Sequence, residues 1–324
     1  MLFKNKKILI IGDVMIDSYL FGNVERISPE APVPIVDIVI KQEKLGGAAN
    51  VAANIKNLGG TPFLCSIIGN DQKGKSVLSL LNKMKISSKY IYISNNRITT
   101  DKTRIIGNNH QMIRIDEEIK SELDKDQNDF IININKIFDK EEIDCVLIQD
   151  YDKGILNETV INSIIIKSEK LNIPIIVDPK KKNFHYYKNI TIFKPNFKEF
   201  KDGLNINNPN RKELLKSGAK ILHKKGIEIV FITLSENGIF ISYKKDKKII
   251  SKILPTKSTI EVVDVSGAGD TVASICAMLI NEENIETIAT IANVAGGLVC
   301  EEIGVVPIDK DKLLKEYNNG WINI

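Results

Sequence analysis

The residues best suited to chemistry lie near the end of the chain, where residues 267–270 read Gly-Ala-Gly-Asp. An apolar stretch at 260–263 precedes this turn and another at 271–280 follows it, which predicts a strand, a tight turn and a buried helix. The glycines and the free N–H groups of a helix N-terminus favour a bound anion, most simply a phosphate. Asp270 would then accept a proton from an attacking hydroxyl. The alternative is that the glycines only form a turn and that Asp270 only caps the helix.

The composition excludes several classes of protein. A chain of 324 residues can form one large α/β domain or two ordinary ones. The net charge of +4 is spread over mixed lysines and acids, which argues against a nucleic-acid partner. The first apolar run ends at Gly12, too early for a signal peptide or a membrane helix. Four cysteines are far apart in apolar surroundings, typical of reduced thiols in a cytoplasmic protein. They are Cys65, Cys145, Cys276 and Cys300.

Polar residues follow several short apolar runs. The run at 7–11 ends in Gly12 and Asp13, and Asp17 comes about one helical turn later. Ligands of open α/β sheets bind at the carboxyl ends of parallel strands, so both aspartates are candidates to bind hydroxyl groups. The alternative for each is capping or turn formation. Similar runs end near other candidates, which are Asp150 and Lys153, Asp178 and Lys180, Asn196 and Glu199, and Thr233.

The segments between these runs indicate the architecture. Strands alternate with helices from residue 144 to residue 234, which predicts a doubly wound, mostly parallel sheet. Strands interrupted by prolines around 33–40, and a hairpin at 103–116 with Gly-Asn-Asn at its tip, predict a small separate sheet that covers the site. Apolar residues on the exposed face of such a sheet would favour a dimer.

Two further glycine motifs precede helices. Gly46 and Gly47 open an alanine-rich helix in which Asn50 offers both a donor and an acceptor. Residues 69–76 match the P-loop pattern, follow an apolar strand and precede a helix. A P-loop nucleotide-binding protein is therefore the alternative function, although a P-loop ordinarily opens the first βα unit of its domain.

Four features together resemble the ribokinase-like (pfkB) carbohydrate kinases. They are the glycine motifs at 46–50 and 264–270, the first strand that ends in a carboxylate, and the Lys-Pro-Asn-Phe-Lys-Glu run at 194–199. The resemblance spans residues 7–307 and implies one ribokinase-like kinase domain over 1–324. It also implies lid strands within 18–45 and 100–116, a homodimer formed through the lid, and ATP and Mg²⁺ as cofactors. A monovalent cation beside residues 264–270 is a further candidate. In this family residues 69–74 form an ordinary turn.

Within the family, five segments resemble the branch that phosphorylates a heptose 7-phosphate. They are residues 12–17, 26–34, 150–154, 178–180 and 233–238. This implies transfer to the anomeric (C1) hydroxyl of D-glycero-β-D-manno-heptose 7-phosphate, a step towards ADP-heptose for lipopolysaccharide core. Many bacterial members are fused to an adenylyltransferase domain, so a chain ending at Ile324 predicts a stand-alone kinase. The alternatives are kinases of the same fold for a fructose phosphate, ribose or a nucleoside.

The resemblance also implies a role for each candidate residue. The catalytic residues would be the base Asp270 and an anion hole formed by Gly267, Ala268 and Gly269. The nucleotide would bind to Asn196, Glu199, Thr233, Ser235, Gly238, Gly267, Gly269 and Asn293, with Glu199 reaching Mg²⁺ through water. The sugar phosphate would bind to Asp13, Asp17, Gly46, Gly47, Asn50, Arg104, Asp150, Lys153 and Lys180.

Overall fold

A computed structural model describes residues 2–256 and 262–318. Its strands are β1 (Lys7–Gly12), β2 (Val14–Ile27), β3 (Pro34–Gly47), β4 (Thr61–Gly69), β5 (Ile91–Ser94), β6 (Thr100–Gly107), β7 (His110–Glu117), β8 (Cys145–Gln149), β9 (Ile175–Asp178), β10 (Ile192–Phe193), β11 (Ile229–Thr233), β12 (Ile239–Lys245) and β13 (Lys248–Leu254). Its helices are α1 (Ala48–Asn57), α2 (Gln72–Lys83), α3 (Gln127–Lys140), α4 (Glu158–Leu171), α5 (Phe197–Leu204), α6 (Arg211–Lys224), α7 (Ala268–Leu279), α8 (Ile285–Cys300) and α9 (Lys310–Asn318).

The main sheet has the order β13-β12-β11-β10-β9-β8-β1-β4-β5. In the sheet order, each pair of neighbouring strands from β11 to β5 is parallel. The pairs β11–β12 and β12–β13 are antiparallel. Because β1 pairs with both β4 and β8, the order of the strands reverses between β1 and β8. The predicted doubly wound, mostly parallel sheet is confirmed.

Helices cover both faces of this sheet. Ile8 and Ile10 of β1 pack with α1, α2, α7, α8 and α9, whereas the alternate residues Leu9 and Ile11 pack with α3 to α6. Burial of both faces explains why the central strands are continuous apolar runs. In the part of the chain that the structure describes, no helix is both long and apolar enough to span a membrane.

The second sheet has four strands in the order β3-β2-β6-β7. The β6–β7 hairpin agrees with the sequence prediction. Asn108 and Asn109 form its two-residue turn with φ values of 50° and 66°, as a type I′ turn requires. The strand β2 begins at Val14, before the region 18–45 in which lid strands were predicted, and this corrects the expectation for Asp17. That residue lies within a strand that pairs with β3 and β6, not one helical turn after Asp13.

The expected strand at 260–263 is also corrected in its described part. Val262 and Val263 belong to no strand and are exposed. Among the described residues, the N–H groups of Val263 and Asp264 both donate to the carbonyl of Cys300. Ile260 lies outside the described residues. The turn and the helix that were predicted to follow are present as residues 266–267 and α7.

Candidate active site

The carboxyl ends of β1, β8 and β9 bring Asp13, Gln149 and Asp178 to one edge of the main sheet. The N–H of Asp13 donates to the carbonyl of Gln149 at 3.2 Å, so the ends of β1 and β8 stay in contact beyond the paired strands. The order of the strands reverses at this point, and open α/β sheets bind their ligands in such crevices. The edge is therefore the expected position for an active site.

The helix α7 begins beside this edge. Gly267 precedes it with φ 82°, a left-handed conformation, and a Cβ atom there would lie 3.0 Å from Nδ2 of Asn50. Within the described part of the chain, the N–H groups of Gly269 and Asp270 have no acceptor. A Cβ atom on Gly269 would have no neighbour closer than 3.7 Å, so there is room next to these donors. Two free N–H groups at the positive end of a helix suit a phosphate group.

Asp270 is buried in the first turn of α7 and accepts three hydrogen bonds. The donors are Nδ2 of Asn50 at 2.8 Å, Nε2 of Gln149 at 3.0 Å and the hydroxyl of Tyr151 at 2.7 Å. Burial raises the pKa of Asp270 to about 6, the bonds from Asn50 and Tyr151 oppose that rise, and the charge of Asp178 adds to it. At neutral pH the group is ionised but binds a proton more tightly than an ordinary aspartate. This suits a general base.

A second buried carboxylate lies behind the first. Nε2 of Gln149 also donates to Asp178 at 3.0 Å, and Asp178 pairs with Lys194 at 3.0 Å. Lys194 is 2% exposed, and its Nζ would lie 3.8 Å from a Cβ atom on Gly269. A buried ammonium group therefore lies next to the free N–H groups of α7.

Gln149, Tyr151 and Lys194 were not predicted as site residues. The available signal was their position, since Gln149 ends β8, Tyr151 follows it closely and Lys194 comes directly after β10. Their contacts with Asp270 and Asp178 could not be read from spacing, because the partners are up to 121 residues apart in the chain.

Asp13 has an oxygen atom available for a ligand. Its Oδ2 accepts hydrogen bonds from the N–H groups of Tyr151 at 2.8 Å and Lys153 at 3.3 Å, whereas Oδ1 is buried and has no partner among the described residues. Burial, and next the charge of Asp150, raise the pKa of Asp13 to about 7. A buried oxygen without a donor is costly unless a ligand supplies one. A sugar hydroxyl would do so.

The carboxylate of Asp150, which was predicted to bind substrate, accepts three hydrogen bonds from the protein. Its Oδ1 accepts from the N–H of Asp152 at 2.9 Å. Its Oδ2 accepts from Asn183 at 3.0 Å and from the hydroxyl of Tyr187 at 2.8 Å. These three donors hold the carboxylate in place at the loop that follows β8.

The predicted glycines Gly46 and Gly47 end β3 against the two aspartates. A Cβ atom on Gly46 would lie 2.2 Å from Oδ2 of Asp17, and one on Gly47 would lie 2.3 Å from the carbonyl oxygen of Asp13. Gly47 has φ 58°, which a side chain would strain. The glycines thus allow β3 to pass close to both aspartates.

Three predicted substrate-binding cations are paired with carboxylates. The pairs are Arg104 with Asp17 at 2.6 Å, Lys153 with Glu118 at 2.7 Å, and Lys180 with Glu199. Their charges are therefore largely compensated within the protein.

Asn196 and Glu199 form a capping box at the start of α5. The Asn196 side chain accepts from the N–H of Glu199 at 2.9 Å, and Glu199 accepts from the N–H of Asn196 at 2.8 Å. No group of three or more metal-ligating side chains occurs among the described residues. Mg²⁺ is often held by one or two carboxylates together with substrate phosphates, so the metal role of Glu199 stays a prediction. Its two oxygens accept from Lys180 and from the N–H of Asn196.

The remaining nucleotide-site candidates lie at the carboxyl end of β11. Thr233 bridges to Asn196, and Ser235 is exposed with φ 54°. Gly238 and Asn293 both lie next to the carbonyl oxygen of Leu254. A Cβ atom on Gly238 would lie 2.0 Å from the Leu254 oxygen, to which Asn293 donates at 3.0 Å. These two residues therefore position the end of β13.

The P-loop alternative fails on geometry. The carboxylate of Asp71 accepts from the N–H groups of Gly74 at 2.7 Å and Thr99 at 2.7 Å, and so occupies the helix N-terminus that a phosphate would need. Lys75 is exposed, and Lys73 pairs with Glu43 at 2.9 Å. This segment therefore behaves as a capped helix start.

Comparisons with known proteins agree with this geometry. "Bifunctional protein HldE" of Helicobacter hepaticus is 36% identical over 314 residues, covering 96% of this chain and 64% of the relative. The protein of the same name from Aliarcobacter butzleri is 38% identical over 323 residues, covering 98% of this chain and 66% of the relative. The chain thus spans slightly less than two thirds of these relatives and corresponds to their kinase domain.

Solved structures share the fold. Arabidopsis thaliana ribokinase complexed with ribose and ATP matches with a TM-score of 0.71 and 18% identity, covering 96% of this chain and 98% of that one. Escherichia coli phosphofructokinase-2, in its tetrameric inhibited form, matches with a TM-score of 0.77 and 17% identity, covering 97% and 99%. The family model described as pfkB family carbohydrate kinase matches residues 5–311. The chain therefore belongs to the pfkB family of carbohydrate kinases and is a sugar kinase, a phosphotransferase.

Proposed function

We propose that this kinase transfers the terminal phosphoryl group of ATP to the C1 hydroxyl of D-glycero-β-D-manno-heptose 7-phosphate. The observation that carries the proposal is the buried base Asp270 beside two free N–H groups at the start of α7. Support for the heptose comes from the residues at 150–154 and 233–238, which resemble the heptose branch, and from relatives named HldE. The product would be the 1,7-bisphosphate used for ADP-heptose.

In this mechanism Asp270 accepts the proton of the C1 hydroxyl. The hydroxyl oxygen forms a bond to the terminal phosphorus, and the bond to the bridging oxygen breaks so that ADP leaves with the electron pair. The donors from Asn50, Gln149 and Tyr151 hold the carboxylate in one orientation. The free N–H groups of α7 stabilise the charge on the transferred group, because they are positioned before the reaction starts.

Metal ions complete the proposed site. Bound Mg²⁺ would neutralise charge on the ATP phosphates, and Glu199, fixed by Asn196, would hold it through water. A monovalent cation is proposed beside residues 264–270, where Asp264 already accepts from the N–H groups of Ser266 at 2.9 Å and Gly304 at 2.9 Å. Activity in KCl compared with tetramethylammonium chloride tests this cation, and equal rates would exclude it.

We further propose that the small sheet is the lid of a single kinase domain and that it forms a homodimer. The strands β3 and β7 carry large apolar side chains that are exposed in one copy of the chain. Four of them are Val39, Ile40, Ile113 and Ile115. Light scattering should show a dimer, and Ile40→Asp with Ile113→Asp should convert it to a monomer. A monomeric native protein would refute the proposal.

A cytoplasmic location is proposed from the same chemistry. Cys65, Cys145 and Cys276 are buried free thiols, and ATP is a cytoplasmic substrate. Activity in the cytosolic fraction of the source cells tests this, and recovery in another fraction would contradict it.

A substrate panel tests the proposed reaction. Purified protein is given ATP, Mg²⁺ and one of heptose 7-phosphate, fructose 6-phosphate, ribose or adenosine, and ADP release is followed. The expected result is the highest kcat/KM for heptose 7-phosphate, and phosphorus NMR of the product should show a phosphate at C1. A higher kcat/KM for another sugar would replace the substrate but keep the kinase. Asp270→Asn is the negative control and should lower kcat about a thousandfold or more.

A further inference from the structure

Lys102 of the lid lacks the kind of carboxylate partner that Arg104 and Arg114 have. Lys102 lies on β6 next to Arg104, and among the described residues no carboxylate lies within ion-pair distance of its ammonium group. Four other basic side chains near the site are paired with carboxylates. They are Arg104 with Asp17, Arg114 with Asp116, Lys153 with Glu118 and Lys180 with Glu199.

The register of the lid shows why Lys102 is left unpaired. Its cross-strand neighbours are Asp17 on β2 and Asp116 on β7, which are the natural partners for a lysine at this position. Each aspartate pairs with an arginine instead, Asp17 with Arg104 at 2.6 Å and Asp116 with Arg114 at 2.8 Å. The two arginines therefore leave the ammonium of Lys102 without an ion-pair partner among the described residues, although the charges of Asp17 and Asp116 still act on it.

Lys102 contacts the residue that orients the base. Its Nζ lies 5.3 Å from the centre of the Tyr151 ring, and the hydroxyl of that ring donates to Asp270. These contacts place the ammonium within about 11 Å of the Asp270 carboxylate. At this upper limit or closer, one sugar can reach both groups, with a hydroxyl at Asp270 and an anion at its far end.

The surroundings of Lys102 favour a dianion. Burial lowers its pKa, and the nearby positive charge of Lys153 lowers it further, so a bound anion would relieve both effects. Lys153 shares its charge with Glu118, so the two lysines still present net positive charge to a ligand. A phosphate group gains more from this charge than a neutral hydroxymethyl group does.

We propose that Lys102 binds the phosphate group of a phosphorylated sugar and selects it over the unphosphorylated sugar. The inference rests on the proposed kinase site at Asp270 but not on the heptose itself. It requires only that the acceptor carries a phosphate at the end remote from the reacting hydroxyl.

The test compares Lys102→Met with the native enzyme on a phosphorylated sugar and its unphosphorylated counterpart, beginning with heptose 7-phosphate and heptose. We expect Lys102→Met to lower kcat/KM for the phosphorylated sugar about 30- to 100-fold, as loss of a charged hydrogen bond implies. The value for the free sugar and the KM for ATP should stay within about threefold. Lys102→Arg should keep most of the activity. Lys41→Met, which removes a lysine of β3 that is exposed in the lid, is the matched control and should change neither sugar.

An equal loss for both sugars, or no loss for the phosphorylated one, would overturn the inference. If another phosphorylated sugar proves to be the best substrate, the comparison is made with that pair, so the heptose assignment can fail while the role of Lys102 stands. If the best substrate carries no phosphate, the role of Lys102 is wrong and the kinase site remains. Urea unfolding midpoints show whether each variant folds, and Lys102→Gln replaces Lys102→Met if the latter does not.

Discussion

The stability of Asp270→Asn relative to the native protein should rise with pH, while kcat falls about a thousandfold or more. Burial raises the pKa of Asp270 from 3.8 in an exposed aspartate to about 6. The folded protein therefore holds this proton more tightly than the unfolded chain does, and stability falls as the pH rises from about 3.8 to about 6. Keeping the ionised carboxylate buried above pH 7 costs about 3 kcal/mol, since each pKa unit corresponds to 1.36 kcal/mol. Asparagine does not carry this cost, and the penalty for turning its NH₂ group towards one of the three donors is the same at every pH.

The assay is urea unfolding of both proteins between pH 4.5 and pH 8, without nucleotide or sugar. The measured quantity is the free energy of unfolding of Asp270→Asn minus that of the native protein. Compared with its value when Asp270 of the native protein is fully protonated, this difference should be higher by about 3 kcal/mol at pH 8 and by about 1 kcal/mol at pH 4.5. The stability of Asp270→Asn relative to the native protein should therefore rise by about 2 kcal/mol from pH 4.5 to pH 8. This rise is the diagnostic quantity, because it does not depend on how asparagine packs.

Asp71→Asn is the matched control because the pKa of Asp71 is shifted in the opposite direction. Burial alone would raise this pKa, but the N–H groups of Thr99 and Gly74 outweigh burial and lower it. Its stability contribution is lost only below the normal aspartate range, so Asp71→Asn should be destabilised by a similar amount from pH 4.5 to pH 8. A stability difference for Asp270→Asn that does not vary with pH, or that grows towards acid pH, would refute the reasoning about the buried base.

Three further predictions concern activity. Tyr151→Phe removes a donor that lowers the pKa of Asp270, so that pKa should rise by up to about one unit and the loss of kcat should be several-fold larger at pH 6.5 than at pH 8.5; an equal loss at both pH values would contradict this. Gly46→Ala places a Cβ atom 2.2 Å from Asp17 and should raise the KM for the sugar about tenfold or more with little change in the KM for ATP; unchanged sugar kinetics would show that Asp17 does not bind the sugar. Lys75→Ala should keep most of the native rate because Lys75 is exposed, and a loss comparable to that of Asp270→Asn would favour the P-loop.

Much of the site could be predicted from local sequence because each motif positions its own backbone. The order of apolar runs and polar strand ends identifies Asp13, Thr233 and the parallel sheet, and the glycines before Asp270 identify a helix N-terminus. The Asn196 and Glu199 spacing likewise predicts a shared helix turn, which the structure shows as a capping box. These features follow from hydrogen bonds and conformations within a few residues of one another.

Only the tertiary structure decided how the side chains are used. The sequence does not show that Asn183 and Tyr187 both donate to Oδ2 of Asp150. Nor does it show that Arg104 and Arg114 pair with the two aspartates that lie opposite Lys102. The sequence by itself determined the αβ alternation, the helix start at Asp270 and the family, because these depend on periodicity and local backbone geometry. Whether a charged side chain has a hydrogen-bond or ion-pair partner depends on residues far apart in the chain, and only the packing of the folded protein brings those residues together.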